Sequence, residues 1–457
     1  MAYYALAVLF AINTMNFFDR QILGAIAEPI RREWGLSDSA MGALGTAFTL
    51  LYAVVGVPLG RLADRSVRTR ILAAGVFVWS LLTAASGLAR NYVQLFALRL
   101  GVGVGEAACA PAGNSLIGDM FTASKRAKAI SVFMMGLPIG IALSYYVSGT
   151  VAHAYGWRAA FFVAGIPGLI CTLAVLFLRE PERGATEAHN IGAMKREGSP
   201  YKLVLSIPTM WWLIASGALH NFNMYAIGSF LSPFLTRYHY ADLALGEATQ
   251  QAGFVSMFVN GLAGIPGLLL GGIIGDAIMR RRANGRLLVG AIAILISAPL
   301  HYLALGRPPG DTMGFAVLMG LGVAAMYAYY STVYSTIQDV IEPSLRGTAM
   351  ALYFFAMYVL GASLGPVGTG FLSDYFFKQA SGGKALELMT AQETALYRAE
   401  GLHSAMYVIP ILGALLTLVL FAASRTVTKD MERLQQWMRE SAGKAEISDA
   451  VKVEAAK

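Results

Sequence analysis

The sequence predicts an all-α membrane protein, with twelve transmembrane helices arranged as two pseudo-symmetric six-helix bundles. Three observations carry that prediction: an apolar composition, the distribution of positive charge among the loops, and an internal repeat. Of the 457 residues, 56% are hydrophobic and only 14% are charged, whereas an ordinary soluble domain carries about 25% charged residues. A soluble fold of this length would have too little polar surface to cover its apolar side chains. The 49 glycines and 16 prolines are interleaved with large apolar residues, which excludes a disordered, low-complexity chain.

Apolar stretches recur from end to end, and each span needs about 20 such residues. Twelve fit, at 3–29, 39–60, 71–89, 93–118, 127–152, 159–178, 204–235, 249–275, 287–305, 312–338, 347–375 and 403–424. The expected organisation is an N-terminal bundle over 1–178, a cytoplasmic linker over 179–203, a C-terminal bundle over 204–424 and a cytoplasmic tail over 425–457. The loops test this count. With both termini in the cytoplasm, 24 of the 35 Lys and Arg residues fall on that side and 9 on the other, leaving Arg20 and Arg99 within spans. Positive residues concentrate on the cytoplasmic side of a membrane. A missed span would mix the two sets from that point on, so the asymmetry argues for an even number. The expected setting is a multi-pass protein of the cell inner (plasma) membrane, acting as a monomer among membrane lipids.

The net charge of +8 therefore reports topology, and no nucleic-acid partner is expected. The first apolar run lacks a basic start and continues past Asp19, as a retained helix does and a cleaved signal does not. Cys109 and Cys171 stand apart within apolar stretches, which argues against a disulfide framework or a metal site. Beyond Ser424, TVTKDMERLQQWMRE reads as a short amphipathic surface helix with Met431, Leu434 and Met438 on one side, followed by disordered residues.

Gly60 and Asp64 recur as Gly272 and Asp276, at an offset of 212. Ser115, Ile117, Asp119, Ser124, Arg126 and Ala129 recur as Ser335, Ile337, Asp339, Ser344, Arg346 and Ala349, each at an offset of 220. Shared hydrophobicity does not account for matched Asp and Arg residues at a fixed spacing, so the chain reads as a duplicated six-helix unit. Glycines stud span 5 (Gly136, Gly140, Gly149), span 8 (Gly267, Gly271, Gly275) and span 11 (Gly361, Gly365, Gly368, Gly370). Small residues at such spacing let helices approach closely in a bilayer. Static packing and sliding contacts both need such surfaces, and the sequence leaves both open.

Charges inside spans are more telling, since a charged side chain at the bilayer centre costs about 2.5–3.5 kcal/mol on the insertion scale. Asp19 and Arg20 lie in span 1, Arg99 and Glu106 in span 4, and His220 in span 7. Arg99 and Glu106 share a helix face but lie about 10.5 Å apart, too far to pair with each other and well placed to meet span 1. A carboxylate in an apolar cavity is pushed toward protonation by desolvation and away from it by a neighbouring Arg. These opposed effects make a proton switch, and the bland alternative is a buried structural ion pair. Aromatic rings mixed with isolated amides and hydroxyls nominate His220, Asn221, Asn223, Tyr225, Tyr327, Tyr330 and Tyr358 as substrate contacts.

The loop after span 2, Gly60-Arg61-Leu62-Ala63-Asp64-Arg65-Ser66-Val67-Arg68, resembles the signature loop of the major facilitator superfamily, with Val67 in place of its second glycine. An acid there caps a neighbouring helix and pairs with Arg. Gly60, Asp64, Arg65, Arg68, Asp119, Arg126, Asp276, Asp339 and Arg346 are thus candidates for a conformational latch. The runs INTMNFFDRQ, RLGVGVGEA and REPERG resemble the Spinster-type branch of that superfamily, with Leu100 where a glycine is usual. The resemblance implies the major facilitator fold and secondary transport, by symport or antiport, of a lysophospholipid or sphingosine-phosphate-like amphiphile, driven by a proton gradient without a cofactor. Carried over, Asp19, Arg20, Arg99 and Glu106 form the coupling set. A small organic anion held by Arg20 and Arg99 is the alternative cargo. An enzyme is not expected, because the six histidines show no i, i+3 or i, i+4 pair and there is no GxSxG or phosphate-loop motif. A channel is disfavoured by the lack of a repeated filter-like loop.

Overall fold

The structure is a computed structural model describing residues 2–181, 199–342 and 345–455. All twelve spans are helical. The first three are α1 (Ala2–Trp34), α2 (Asp38–Arg65) and α3 (Arg68–Ser86). Span 4 is broken into α4 (Tyr92–Glu106) and α5 (Cys109–Met120), span 5 into α6 (Ala123–Met134) and α7 (Gly136–Tyr155), and span 6 is α8 (Trp157–Leu176). After α9 (Pro200–Leu205) come α10 (Pro208–Phe234), α11 (Leu245–Ser256) with α12 (Gly264–Met279), α13 (Gly285–Leu305) and α14 (Thr312–Val340). Span 11 is α15 (Arg346–Ala356) with α16 (Leu364–Ala380), and span 12 is α17 (Ala391–Met406) with α18 (Val408–Ala455). Most of the expected linker lies outside the described residues.

Nine helical stretches among the described residues are long and apolar enough to cross a membrane on length and composition alone. The three spans that fall short are the first, fourth and seventh. Span 4 falls short because it is broken into helices of 15 and 12 residues, and the three spans together hold Asp19, Arg20, Arg99, Glu106, His220, Asn221 and Asn223.

Each half has its own core. Two apolar clusters, one around Trp79 and Phe133 and one around Ile26 and Phe161, fill the N-terminal half, and one continuous cluster from Val204 to Val427 fills the other. The seam between the halves is built from small residues instead. A Cβ on Gly24 of α1 would collide with the carbonyl of Gly228 on α10, and one on Gly42 of α2 with that of Pro366 on α16. On the other side, a Cβ on Gly253 of α11 would lie 2.5 Å from the Tyr145 carbonyl of α7. The structure thus sorts the glycines that the sequence left undecided. Gly149 and Gly370 meet the opposite half, whereas Gly136, Gly140, Gly267, Gly271, Gly361 and Gly365 pack within their own.

Two expectations are corrected. No separate surface helix follows span 12: α18 continues to Ala455, because no Gly or Pro interrupts the chain between Gly413 and Gly443. Its Asp430 accepts bonds from the Thr209 backbone N–H (3.0 Å) and hydroxyl (2.6 Å), capping the start of α10. Span 12 also starts earlier than expected, at the capping box of Thr390 and Glu393 on α17.

Candidate functional site

Because α1 carries adjacent charges about 100° apart around its axis, it points them in different directions. Arg20 faces the opposite half. Its guanidinium lies 4.2 Å from the centre of the Tyr52 ring and 5.1 Å from that of Phe17, and its Nη1 donates to the Tyr358 hydroxyl at 3.4 Å. The guanidinium Nε also pairs with Glu106 Oε2 at 3.0 Å, with both side chains almost fully buried. Asn16, one turn earlier, donates to the same carboxylate oxygen at 2.8 Å. Asp19 instead turns toward α3, where Thr83 donates to its Oδ2 at 3.1 Å.

From α4, Arg99 and Glu106 both reach α1. Arg99 Nη2 donates to the backbone carbonyl of Asp19 at 3.0 Å. Asp19 Oδ1, Glu106 Oε1 and Arg99 Nε and Nη1 are buried without a hydrogen-bond partner. Such groups are costly, and four of these atoms, on Asp19, Arg99 and Glu106, are clustered within one apolar bundle. The helix breaks directly after Glu106, at Ala107 and Ala108. A cavity of about 40 Å³ lies beside this cluster and is walled by both halves, including Arg20, Gln21, Phe48, Arg99, Tyr225 and Ser229.

The nominated C-terminal residues divide. Tyr225 lines the cavity, and Tyr358 stands beside it with its ring centre 5.2 Å from that of Tyr52. His220 is fully buried, stacked on Tyr329 at 4.0 Å and edge-on to Tyr330 at 4.7 Å, with neither ring nitrogen hydrogen-bonded. Asn221 donates to Gly217 O within its own helix at 3.1 Å. The Tyr327 hydroxyl donates to Asn260 O at 3.3 Å. Asn223 departs from the expected role, because it donates to Ile409 O at 3.0 Å inside the C-terminal half.

The latch candidates form two equivalent clusters, each within one half. Arg68 is buried and binds Asp119, Ser115 Oγ (2.8 Å) and Glu180 (2.7 Å). Arg286 binds Asp339 and Asp276 (2.8 Å) in the second half. Partial burial pushes the Glu180 carboxyl up, but hydrogen bonds from Arg68 and from Thr69 outweigh it and hold the group below the usual carboxylate range. Arg346 Nε donates to Gln338 O at 3.2 Å, and Arg126 Nε to Phe121 O at 3.5 Å. The side chains of Asp64 and Arg65, with Gly60, lie outside the described residues.

A further cluster was not anticipated. At the far end, opposite the chain termini, Arg237 beyond α10 donates to Glu28 of α1 at 2.7 Å and forks onto both oxygens of Asp38 of α2 at 2.7 and 2.8 Å. All three are buried. Asp374 of α16 accepts the backbone N–H groups of Asp38 (3.1 Å) and Ser39 (2.8 Å), so the N-terminus of α2 is capped from the opposite half. Pro29 removes a donor from the α1 ladder, and Ser232 of the other half donates to the Ala25 carbonyl at 3.2 Å. Charges at span ends are usual, so this cluster carries no distinguishing mark in the sequence. Arg286 could have been found, since it stands at nearly the repeat offset from Arg68.

Comparisons with known proteins agree with this fold. The family model described as Major Facilitator Superfamily matches residues 9–366. An MFS-type efflux pump of Mycolicibacterium smegmatis is 29% identical over 85% of this chain and 89% of the relative. Protein spinster homolog 1 of Mus musculus is 29% identical over 80% and 72%, and protein spinster of Drosophila melanogaster 26% identical over 86% and 66%. Among solved structures, a bacterial homolog to the human lysosomal transporter Spinster, inward-facing and unoccupied, superposes with a TM-score of 0.81 at 27% identity, over 94% of this chain and 98% of that one. A chain that matches this family model over residues 9–366 and has these relatives belongs to the Major Facilitator Superfamily, and the protein is a multi-pass membrane transporter of the Spinster type.

Proposed function

We propose that the protein is a proton-coupled secondary transporter of an amphiphilic, lipid-like molecule such as a lysophospholipid, working by alternating access. One observation carries this reading: Glu106 and Asp19 are buried with one oxygen each unpartnered, and the guanidinium paired to Glu106 also touches the Tyr358 hydroxyl of the other half. Protonating Glu106 would remove the charge that holds Arg20, free Arg20 toward the cavity and loosen its contact with Tyr358. The charge state of one half thus acts on the interface between the halves. Phe48, Tyr225 and Phe230 give the cavity aromatic walls, which suit an apolar chain, while Arg20 suits an anionic head. The spinster relatives and the homolog of a lysosomal transporter support transport as the activity.

In this reading the near end, with both termini, faces the cytoplasm of a plasma-type membrane, as the loop charges favour. The far end is sealed by Arg237 and the glycine seam, which corresponds to an inward-facing state.

A second reading rests on Arg99, whose Nε and Nη1 are buried, unpartnered and at the cavity wall. With Arg20 they could clamp the carboxylate of a small organic anion. The test is uptake of a fluorescent lysophospholipid by proteoliposomes under a pH gradient, in competition with unlabelled lysolipids and with small carboxylic acids. Suppression by lysolipids alone is expected. Suppression by the small acids alone would select the second reading, and uptake indifferent to the gradient would defeat proton coupling.

A further inference from the structure

Among the described residues, π-helical turns occur at Leu235–His239, Met257–Leu262 and Met357–Ala362. All three lie in the C-terminal half. The last two are copies of one device. Met257, Val259, Gly261 and Pro266 recur as Met357, Val359, Gly361 and Pro366, at an offset of 100. In each, a backbone N–H reaches five residues back, Ala263 to Phe258 and Ser363 to Tyr358, both at 2.9 Å. A proline follows three residues later. A π-turn beside a proline is a recognised site of helix bending.

Each of these turns is also where its helix holds the N-terminal half by a polar contact. Asn260 Nδ2 donates to the buried Tyr145 hydroxyl at 3.2 Å, and Tyr145 in turn bonds the Gly228 carbonyl at 2.5 Å. Thr46 of α2 donates to the Ser363 carbonyl. From these turns to the far end the two seams are tight, through Gly42, Gly370, Gly149 and Gly253. Toward the near end, Cβ atoms on Gly56 of α2 and Gly347 of α15 would meet open space. Past the π-turn at Met357–Ala362 the seam of α2 with span 11 is therefore looser than on its far side.

Building on the alternating-access reading, we propose that the turns at Met257–Leu262 and Met357–Ala362 are the paired pivots of the transporter. Tyr145–Asn260 and Thr46–Ser363 stay in register while the ends of the seams open and close in alternation. Bending in span 8 and span 11 at these turns lets the near-end arms, α12 and α15, close over the cavity as the far end parts.

The test compares two cysteine pairs in a background lacking Cys109 and Cys171. Thr46→Cys with Ser363→Cys reports the pivot. His153→Cys with Gly246→Cys reports the far end, where a Gly246 Cβ would lie 3.6 Å from the His153 Cα. Cross-linking rates with a short thiol-reactive reagent are measured with the far-end seal intact and after Arg237→Met, with Asp374→Asn as a second way of breaking that seal. The expected result is a far-end rate at least about tenfold slower in the broken-seal proteins, with the pivot rate unchanged within about twofold. A pivot rate that falls as far as the far-end rate overturns the pivots and leaves alternating access standing. Rates that change at neither position overturn alternating access, and the pivots with it.

Discussion

Replacing Glu106 by Gln is expected to abolish gradient-driven uptake while leaving exchange of labelled for unlabelled amphiphile across the membrane. Gln keeps an acceptor for Arg20 and Asn16 at the 3.0 and 2.8 Å contacts but cannot take up or release a proton. It also leaves the buried Arg20 guanidinium without its countercharge. Removing one partner of a buried pair costs about 3–5 kcal/mol, and each 1.4 kcal/mol is about a factor of ten in an equilibrium. Driven uptake should therefore fall by at least about a hundredfold, and exchange by much less. Equal loss of both would make Glu106 a structural brace. Uptake at the original rate would remove it from the mechanism.

The second large effect is expected at Arg237. Its side chain neutralises Glu28 and Asp38 from two different helices of the other half. Glu28 keeps Arg31 and Arg32 at 2.7 and 2.8 Å, but Asp38 is left with Ser373 as its side-chain partner at 2.6 Å. In Arg237→Met the sealed far end must hold Asp38 without its direct ion-pair partner, Arg31 and Arg398 acting on it only from a distance, and a cost of up to about 3–5 kcal/mol tips the balance toward far-end opening. Spin labels at the exposed far-end positions Val93 and Met313 would show this by pulsed EPR. A single short distance should give way to a longer one as the main population. Adding Asp38→Asn should restore the short distance, because the unpaired charge is gone. Failure of that rescue would mean that Arg237 acts through general packing.

The twelve spans were legible because membrane helices must be apolar along their length, and because loop charges count them independently. Asp19, Arg20, Arg99 and Glu106 stood out for the same reason, as charges in a lipid-length apolar run have few innocent explanations. Their pairing was only half legible. Spacing along α4 excluded an Arg99–Glu106 bond, yet nothing in the sequence said that Arg20 would take Glu106 while Asp19 turned to Thr83. That choice depends on the rotation of α1 against two neighbours. Asn221 and Asn223 show the same limit: two residues apart, they face different surroundings. The π-turns were invisible, since one extra residue per turn leaves the apolar pattern intact over so short a stretch. Met257, Gly261 and Pro266 could have been found by searching for the shorter repeat inside the C-terminal half. Tyr52 and Phe48, which hold Arg20 from α2, carried no signal among so many aromatic residues.

The two clusters at Arg68 and Arg286 also change the meaning of the repeat. Each ties three segments of its own half together near the chain termini, whereas in the proposed cycle the contacts that cross between the halves, at Arg237, Asp374 and Arg20, are the unrepeated ones.

In the proposed mechanism, movement of the amphiphile and of protons is one event passing through Glu106. Proteoliposomes holding a pH-sensitive dye, given a lysophospholipid without any imposed gradient, put this coupling to the test. The expected result is a change of internal pH that begins with lipid addition and is absent in Glu106→Gln. Lipid movement at the full rate with a silent dye, or a dye signal that survives the substitution, would contradict it.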